Sequence, residues 1–312
     1  MSALSQELDQ FEQERLNIIQ KAKKPRLFGL VFCLSAIPLF YFFENPIWGI
    51  LTIIVGIIIF SVGEYPKKVF AKKFKEEVIS KLVKHLHADL HYDPSGGFHY
   101  SFLYDQGLIN TSPNRGKSED RIHGMVGATA IDLCEQLVEK KTTTTDSKGR
   151  TKTHIQQLFK GLVLSADFHK SFNGETVILP DWAENSSWSW LAKKFQSSSR
   201  DGNRIVQLEN PEFEKLFAVY SSDQVEARYL LSTSMMDRMV KLYQKLSASS
   251  TCKIMIRFHN EKMIMAIDWS NNFFEYEFKK TVKEEMEETY TELELCTGIV
   301  EDLNLNTRIW SK

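Results

Sequence analysis

The sequence predicts an α+β cytoplasmic domain preceded by a two-helix transmembrane hairpin. Three observations favour this fold class. Two uncharged apolar runs, residues 27–43 and 47–62, lie close together near the N-terminus. Basic residues precede the first run and follow the second. The remaining residues alternate between the periodicity of strands and that of helices.

Glu44, Asn45 and Pro46 separate the two apolar runs. One helix over both runs would be about 54 Å long, well beyond the bilayer hydrocarbon core of about 30 Å. Each run alone is about 25 Å long, and basic and aromatic side chains at the interface make up the difference. A buried hairpin in a soluble core is the alternative, but neither run has a polar face. We therefore predict a transmembrane hairpin over residues 27–62.

The distribution of basic residues predicts the orientation of this hairpin. Four basic residues precede it, five follow it, and none lies in its turn. The positive-inside rule then places both termini in the cytoplasm. The five that follow are also candidates for contact with anionic lipid headgroups, although they could serve only to set the topology. These candidates are Lys67, Lys68, Lys72, Lys73 and Lys75.

Amphipathic helices are predicted on both sides of the hairpin. Residues 1–26 form a short helix with one apolar stripe, which suits a partner helix or a coiled coil. Residues 63–97 form a basic juxtamembrane helix that ends at the turn sequence HYDPSGG. Its apolar residues follow steps of four: Phe70, Phe74, Val78, Leu82, Leu86 and Leu90.

Residues 98–312 predict the α+β domain, which is β-rich over 98–181 and α/β over 205–312. Turns are expected near Gly127, at residues 146–149, and at residues 259–261 between two apolar strands. Asp223 caps a predicted helix, with Glu226 in the position of a capping box. A last helix is expected over residues 282–303. The helix after Asp223 has one expected buried stripe: Val225, Tyr229, Ser232, Met236, Met239, Tyr243 and Leu246.

Composition argues against several classes of protein. Lysine and arginine number 39 against 40 acidic residues, so nucleic-acid binding is not favoured. The four cysteines lie far apart and are expected to be reduced. The Gly-Lys-Ser of residues 114–118 lacks the first glycine of a phosphate loop. His87 and His91 have a two-ligand helical spacing but no HExxH context, and we predict neither a metal nor a cofactor.

Two segments resemble a known bacterial family. FKGLVLSADFHKSFNGETVILPD (residues 159–181) and LENPEFEKLFAVYSSDQVEARYLLSTSMMDRMVKL (residues 208–242) are similar to the domain of unknown function 3137. The ending GIVEDLNLNTRIW is similar as well. The resemblance implies a bacterial membrane protein with two spans and a cytoplasmic domain, located in the inner membrane. It implies no activity and no catalytic residue.

Two hypotheses of function follow. The first is a membrane-anchored binding or scaffold module, whose partners are the lipid bilayer and a protein of unknown identity. It is favoured because an anchor and a large folded domain come without a recognisable catalytic motif. The alternative is a membrane-associated hydrolase whose site forms only in three dimensions. That enzyme would require a cleft that gathers several of Asp167, Asp181, His123 and His154.

Overall fold

The computed structural model describes residues 2–42, 46–167, 174–180, 204–248, 252–269 and 273–303. The chain divides into two compact units. The hairpin unit consists of Met1–Lys81 and Phe274–Thr291, and the sheet unit consists of Leu82–Phe273 and Glu292–Lys312. The predicted fold class is confirmed, because two long apolar helices precede an α+β domain.

Two long helices build most of the hairpin unit. Helix α1 spans Ser2–Phe42, so the predicted N-terminal helix and the first apolar run form one helix of 41 residues. Helix α2 spans Ile47–Phe74 and continues through a π-helical turn, Lys75–Ile79, into α3, Ser80–Leu86. The helices therefore do not break at residues 26 or 62, where the sequence suggested separate elements.

The π-helical turn corrects the predicted juxtamembrane stripe. Phe70, Phe74 and Val78 are buried as expected, but the next buried residues are Ile79 and Val83. A π turn contains one residue more than an α turn, so it moves the buried stripe one position along the sequence. Leu82 and Leu86 are consequently only half-buried. The helix also ends earlier than predicted, and Leu90 is buried in a strand instead.

The sheet unit contains one antiparallel sheet, which has nine strands among the described residues in the order β1-β2-β3-β4-β9-β8-β5-β7-β6. The predicted turns at Gly127, at 146–149 and after residue 259 connect consecutive strands and are confirmed. Gly127 has a φ of +60°, which glycine adopts without strain. The strands are β1 Leu90–Asp93, β2 Arg115–Val126, β3 Thr129–Thr145, β4 Thr151–Asp167, β5 Glu175–Pro180, β6 Arg204–Ile205, β7 Phe217–Ser221, β8 Cys252–His259 and β9 Lys262–Trp269.

Short helices flank the sheet strands in the chain: α4 Phe102–Asp105, α5 Pro211–Glu214, α6 Gln224–Leu230 and α7 Thr233–Ser247. The predicted cap of α6 is confirmed, because the Asp223 carboxylate accepts hydrogen bonds from the backbone N–H groups of Val225 and Glu226. The Asp223 N–H, which a capping box would pair with Glu226, donates instead to the Ser221 Oγ, and the Glu226 carboxylate accepts a hydrogen bond from the Gly174 N–H.

The single long stripe expected after Asp223 is wrong in its first half. The helix breaks at Leu231, and Ser232 caps a second helix by accepting a hydrogen bond from the Met235 N–H. Val225 and Tyr229 are 76% and 52% exposed. The second half is confirmed at its apolar positions, because α7 buries a continuous stripe: Met235, Met236, Met239, Val240, Leu242 and Leu246.

The last helix, α8, spans Val282–Asp302 and confirms the prediction. Its first half belongs to the hairpin unit and its second half to the sheet unit. Val282, Leu293 and Val300 are buried as expected. The sequence pattern missed the buried Glu285 on the same helix.

One apolar cluster on the central strands forms part of the core of the sheet unit. Large aliphatic and aromatic side chains from the central strands meet residues of α4 and the loop after it. Its fully packed members are Leu103, Leu108, Ile109, Val138, Phe159, Val163, Val177, Leu179, Tyr220, Met255, Ile264 and Ala266.

Candidate functional site

Small residues at intervals of seven hold α1 and α2 together. Ala22, Gly29 and Ala36 are the buried small residues of α1, and Gly49, Gly56 and Gly63 are those of α2. Buried residues every seventh position form one seam along a pair of helices. The seam allows close approach because small residues let two helix backbones touch.

Gly56 illustrates how tight this seam is. A Cβ at Gly56 would lie 2.6 Å from the Cys33 Sγ and 2.9 Å from the Gly29 carbonyl oxygen. A Cβ at Gly29 would lie 2.7 Å from the Phe60 backbone nitrogen. Neither position has room for any side chain. The sequence analysis missed this seam, although the even spacing of the three glycines of α2 was visible.

The outward face of the two helices is apolar and exposed. Two helices, Leu8–Phe42 and Ile47–Leu86, are long and apolar enough to cross a membrane, with only 11% and 17% of their apolar windows buried. A buried hairpin in a soluble core would show the opposite pattern. The exposed large apolar side chains of the two runs are Leu27, Phe28, Leu30, Val31, Phe32, Leu34, Ile37, Phe40, Tyr41, Phe42, Ile47, Trp48, Ile50, Leu51, Ile54, Val55, Ile57, Ile58 and Val62.

Four of the five candidate lysines lie on the part of α2 that follows the second apolar run, and Lys75 begins the π-helical turn. Lys68 and Lys72 are exposed, and Lys72 forms a loose ion pair with Glu76 at 3.6 Å. Lys67 pairs with Glu64 at 3.2 Å. Contact of these side chains with lipid headgroups stays a prediction.

Two of these lysines already have acidic partners in the folded hairpin unit. Lys73 pairs with Glu14 at 2.7 Å. Lys75 is buried and pairs with Glu275 at 3.0 Å. Their charges are therefore less available to a headgroup than the charge of Lys68.

An aromatic and polar cluster lies in the hairpin unit, next to the seam of small residues. Phe70 packs edge-on against Phe11 and Tyr276, with ring centroids 5.9 and 5.1 Å apart. The buried Arg15 guanidinium binds the Glu12 carboxylate and donates a hydrogen bond to the Phe278 carbonyl oxygen. Arg15 precedes Ala22 by seven residues and Phe70 follows Gly63 by seven. The seam of small residues thus continues into larger buried side chains.

Among the residues that the structure describes, each unit contains one buried glutamate with a raised pKa. Burial raises the pKa of Glu285 in the hairpin unit to about 7, although the Glu277 N–H donates a hydrogen bond to its carboxylate. Burial likewise raises the pKa of Glu135 in the sheet unit to about 7, although the Phe273 N–H donates to it at 3.0 Å. Neither residue was singled out by the sequence, because a lone glutamate among apolar residues carries no pattern.

The residues proposed for a hydrolase site are not gathered where the structure describes them. His123 on β2 stands opposite Asp132 of β3 in the strand register, and Asp167 lies at the end of β4 opposite Lys262 of β9. His154 is exposed, 13 positions before Asp167 on the same strand. At about 3.3 Å per strand residue, these two side chains lie roughly 40 Å apart. Asp181 falls outside the described residues.

The remaining sequence candidates do not assemble a metal or phosphate site either. His87 lies after the end of α3 and His91 lies on β1, so the helical spacing assumed for them does not exist. His91 instead faces His123 across the β1–β2 pair, with ring centroids 5.7 Å apart. The rejected phosphate-loop sequence forms the start of β2 from Arg115 onward.

One open cleft lies between α7 and the end of α8 in the sheet unit, with a volume of about 440 Å³. Arg238 and Lys245 on its wall both bind Asp302, through the backbone carbonyl and the carboxylate respectively. Asp237 accepts a hydrogen bond from the Asn210 amide. Three cationic and three acidic residues line the cleft, so its net charge selects no ligand class.

The comparisons with known proteins identify the second half of the chain. Residues 157–305 match the model of the family described as protein of unknown function (DUF3137). The family model therefore describes this part of the chain, a little under half of its length. The match covers both quoted segments of the resemblance, which is thereby confirmed.

Other comparisons add little. Among solved structures, the crystal structure of the mycobacterial trehalose monomycolate transport factor A, TtfA, is similar over 73% of this chain and 96% of that chain, with 9% sequence identity and a TM-score of 0.33. A likeness at this level carries no argument. The search of curated proteins finds no match.

Proposed function

We propose that this protein is a membrane-anchored cytoplasmic module that works by binding, placed in the inner membrane of a bacterium with both termini in the cytoplasm. One observation carries the proposal: the two apolar helices turn their large side chains outward and pack against each other through glycine and alanine. Exposing an apolar surface of this extent is unfavourable in water, whereas it is favourable in the hydrocarbon core of a bilayer.

The sheet unit supports a binding role over a catalytic one. The hydrolase candidates that the structure describes are spread along the sheet, and the cleft beside α7 is lined by three cationic and three acidic residues. Function is read from a site. A folded unit on an anchor, without an assembled catalytic set among its described residues, fits a scaffold or a regulatory partner.

A topology experiment tests the anchor. A reporter fused at Asn45 and another at Lys312 are expected to read the far side of the membrane and the cytoplasm, respectively. The full chain is expected to stay in the membrane pellet after an alkaline wash. Release of the protein by the wash would refute the anchor, and a periplasmic signal at Lys312 would refute the orientation.

A second experiment tests for a protein partner. Helix α6 exposes the apolar side chains of Val225 and Tyr229, and this helix lies within the family match. A photoreactive amino acid at Val225 in the full-length protein is expected to form a discrete adduct in cells, because exposed apolar groups are frequent at interfaces. The same group at exposed Lys262 serves as the control. Identical adducts from both positions would contradict a partner site on α6.

A further inference from the structure

Strands β3 and β4 continue beyond their neighbours as a two-stranded ribbon. The ribbon consists of residues 140–145 paired with residues 151–156, joined by the turn 146–150. The pairing of β2 with β3 ends at Glu139, and that of β9 with β4 ends at Gly161. No third strand pairs with the ribbon in the part of the chain that the structure describes. Six residues at about 3.3 Å each give it a length of about 20 Å.

The turn at the tip of the ribbon is held by hydrogen bonds. The Asp146 carboxylate accepts hydrogen bonds from the N–H groups of Lys148 and Arg150, at 2.9 and 2.8 Å. The Asp146 N–H donates to the Arg150 carbonyl oxygen at 2.9 Å. Gly149 takes a φ of +74°, which closes the turn. The base is also fixed, because the Asn114 side chain binds both backbone groups of Lys141.

The ribbon carries a local positive charge. Five cationic residues and one acid lie between residues 140 and 156, a net charge of +4, so the rest of the chain carries −5. The acid, Asp146, is already paired with Arg150 at 3.3 Å. Lys141, Lys148 and Lys152 are exposed and make no ion pair with the described residues. Their charges are therefore available to a partner.

The side chains beside these lysines indicate the chemistry of that partner. Thr144 and Lys152 are exposed and lie opposite each other in the β3–β4 register, so a hydroxyl and an ammonium group share one face of the ribbon, a combination that suits phosphate oxygens. The ribbon has no aromatic residue on which a base could stack, which disfavours a single-stranded nucleic acid. It also has no apolar groove for a peptide, since Ile155 is its single large aliphatic residue.

We propose that the ribbon binds the anionic phospholipid headgroups of the membrane that holds the hairpin. This inference rests on the proposed anchor, because tethering keeps the sheet unit at a high effective concentration near that surface. Lysines on an open strand edge also prevent aggregation, but that role does not require Lys148 at the tip of a projecting ribbon. A cation near an anionic leaflet favours the docked state about fivefold, so three lysines favour it roughly 100-fold.

The test uses the full-length protein in liposomes with an environment-sensitive fluorophore on Ser147→Cys, at the exposed turn. Cys134, Cys252 and Cys296 are buried, and the half-buried Cys33 is replaced by alanine in every protein used, so labelling at the introduced cysteine is selective. The protein without Ser147→Cys gives the blank. Emission is expected to shift to the blue in liposomes containing phosphatidylglycerol, but not in pure phosphatidylcholine. Concentrated salt is expected to reverse the shift, because it screens exposed charges.

Two triple variants decide whether the ribbon itself is responsible. The ribbon variant carries Lys141→Gln, Lys148→Gln and Lys152→Gln, and it is expected to lose the shift. The matched control carries Lys215→Gln, Lys241→Gln and Lys262→Gln, three exposed lysines elsewhere in the sheet unit, and it is expected to keep the shift. Equal behaviour of the two variants would overturn the proposal.

The outcomes also separate this inference from the anchor. Protein that stays with both kinds of liposome after an alkaline wash, but shows no lipid-dependent shift, refutes the ribbon and leaves the anchor intact. Protein released by the wash refutes the anchor. A shift caused by soluble polyglutamate but not by phosphatidylglycerol would overturn the lipid proposal in favour of an acidic protein.

Discussion

The hairpin unit and the sheet unit use the same amino acids in opposite ways. In the hairpin, leucine, isoleucine and phenylalanine face outward, and glycine and alanine form the contact between helices. In the sheet unit, the large apolar residues form the interior, as Phe159 and Met255 do. The difference follows from the surroundings: a bilayer gives helices no hydrophobic reason to associate, so close backbone contact must hold them. A domain in water is stabilised by burial of large side chains.

The largest difference in stability between the two units is expected when a phenylalanine in each is replaced by alanine. Phe159→Ala in the sheet core should lower the free energy of unfolding by about 3–5 kcal/mol, since it leaves a cavity. Phe28→Ala in the hairpin, where the side chain is 59% exposed, should change it by about 0.5 kcal/mol or less. Thermal unfolding of the purified protein in detergent micelles measures both. Similar losses would mean that the hairpin is packed like a soluble core.

Enlarging a side chain should destabilise the hairpin unit at its buried seam and leave it unchanged on its exposed face. Gly56→Leu places a side chain against the Cys33 Sγ and the Gly29 carbonyl, so we expect a loss of about 1–3 kcal/mol or more in hairpin stability. Val55→Leu, one residue away on the exposed side, should be neutral. Hydrogen exchange in peptides from α1 and α2 measures the effect. Unchanged exchange in Gly56→Leu would contradict the glycine seam.

The two buried glutamates should make the stability of both units depend on pH in the same way. Each pKa is raised from 4.5 to about 7, so between these values the folded state holds a proton that the unfolded state has released. Stability therefore falls as pH rises through that window and stays low above it. Glu135→Gln and Glu285→Gln should each raise stability at pH 8, by about 1–3 kcal/mol.

Hydrogen exchange resolved by peptide separates the two glutamates. Glu135→Gln is expected to slow exchange in the sheet unit at pH 8, and Glu285→Gln in the hairpin unit. Glutamine keeps the oxygen that accepts the backbone hydrogen bond in each case. A variant that is destabilised at pH 8 would show that the carboxylate, and not the neutral acid, fits the folded unit.

The smallest difference concerns the candidate membrane-surface lysines. Lys68→Gln should lower retention of anionic lipid about fivefold, or about 1 kcal/mol, because its charge is exposed. Lys75→Gln should have a weaker effect on lipid, because Lys75 is buried against Glu275. Native mass spectrometry of the detergent-purified protein counts the retained lipids. Equal losses would show that the Lys75 pair opens at the membrane.

Sequence patterns predicted much of this fold because the patterns concerned were local. The uncharged runs, the turn at Gly127, the cap at Asp223 and the last helix each depend on residues a few positions apart. Capping and turn formation are short-range hydrogen-bond effects. The spacing of the glycines in α2 was also visible, but its meaning required the position of α1.

Tertiary structure decided what the local patterns could not. The π turn after Phe74 moved a buried stripe by one residue, and the break at Leu231 turned Val225 outward. Burial was the main cause of the raised pKa values of Glu135 and Glu285, and neighbouring carboxylates that only the fold brings close contributed to them.

The amino-acid sequence alone therefore determined the fold class, an apolar helical hairpin followed by an α+β domain. Only the folded structure decided which charges are paired, which acids have a raised pKa, and that β3 and β4 project as a basic ribbon. The physical reason is that periodicity is encoded between neighbours in the sequence, whereas burial and charge pairing depend on residues that only the fold brings together.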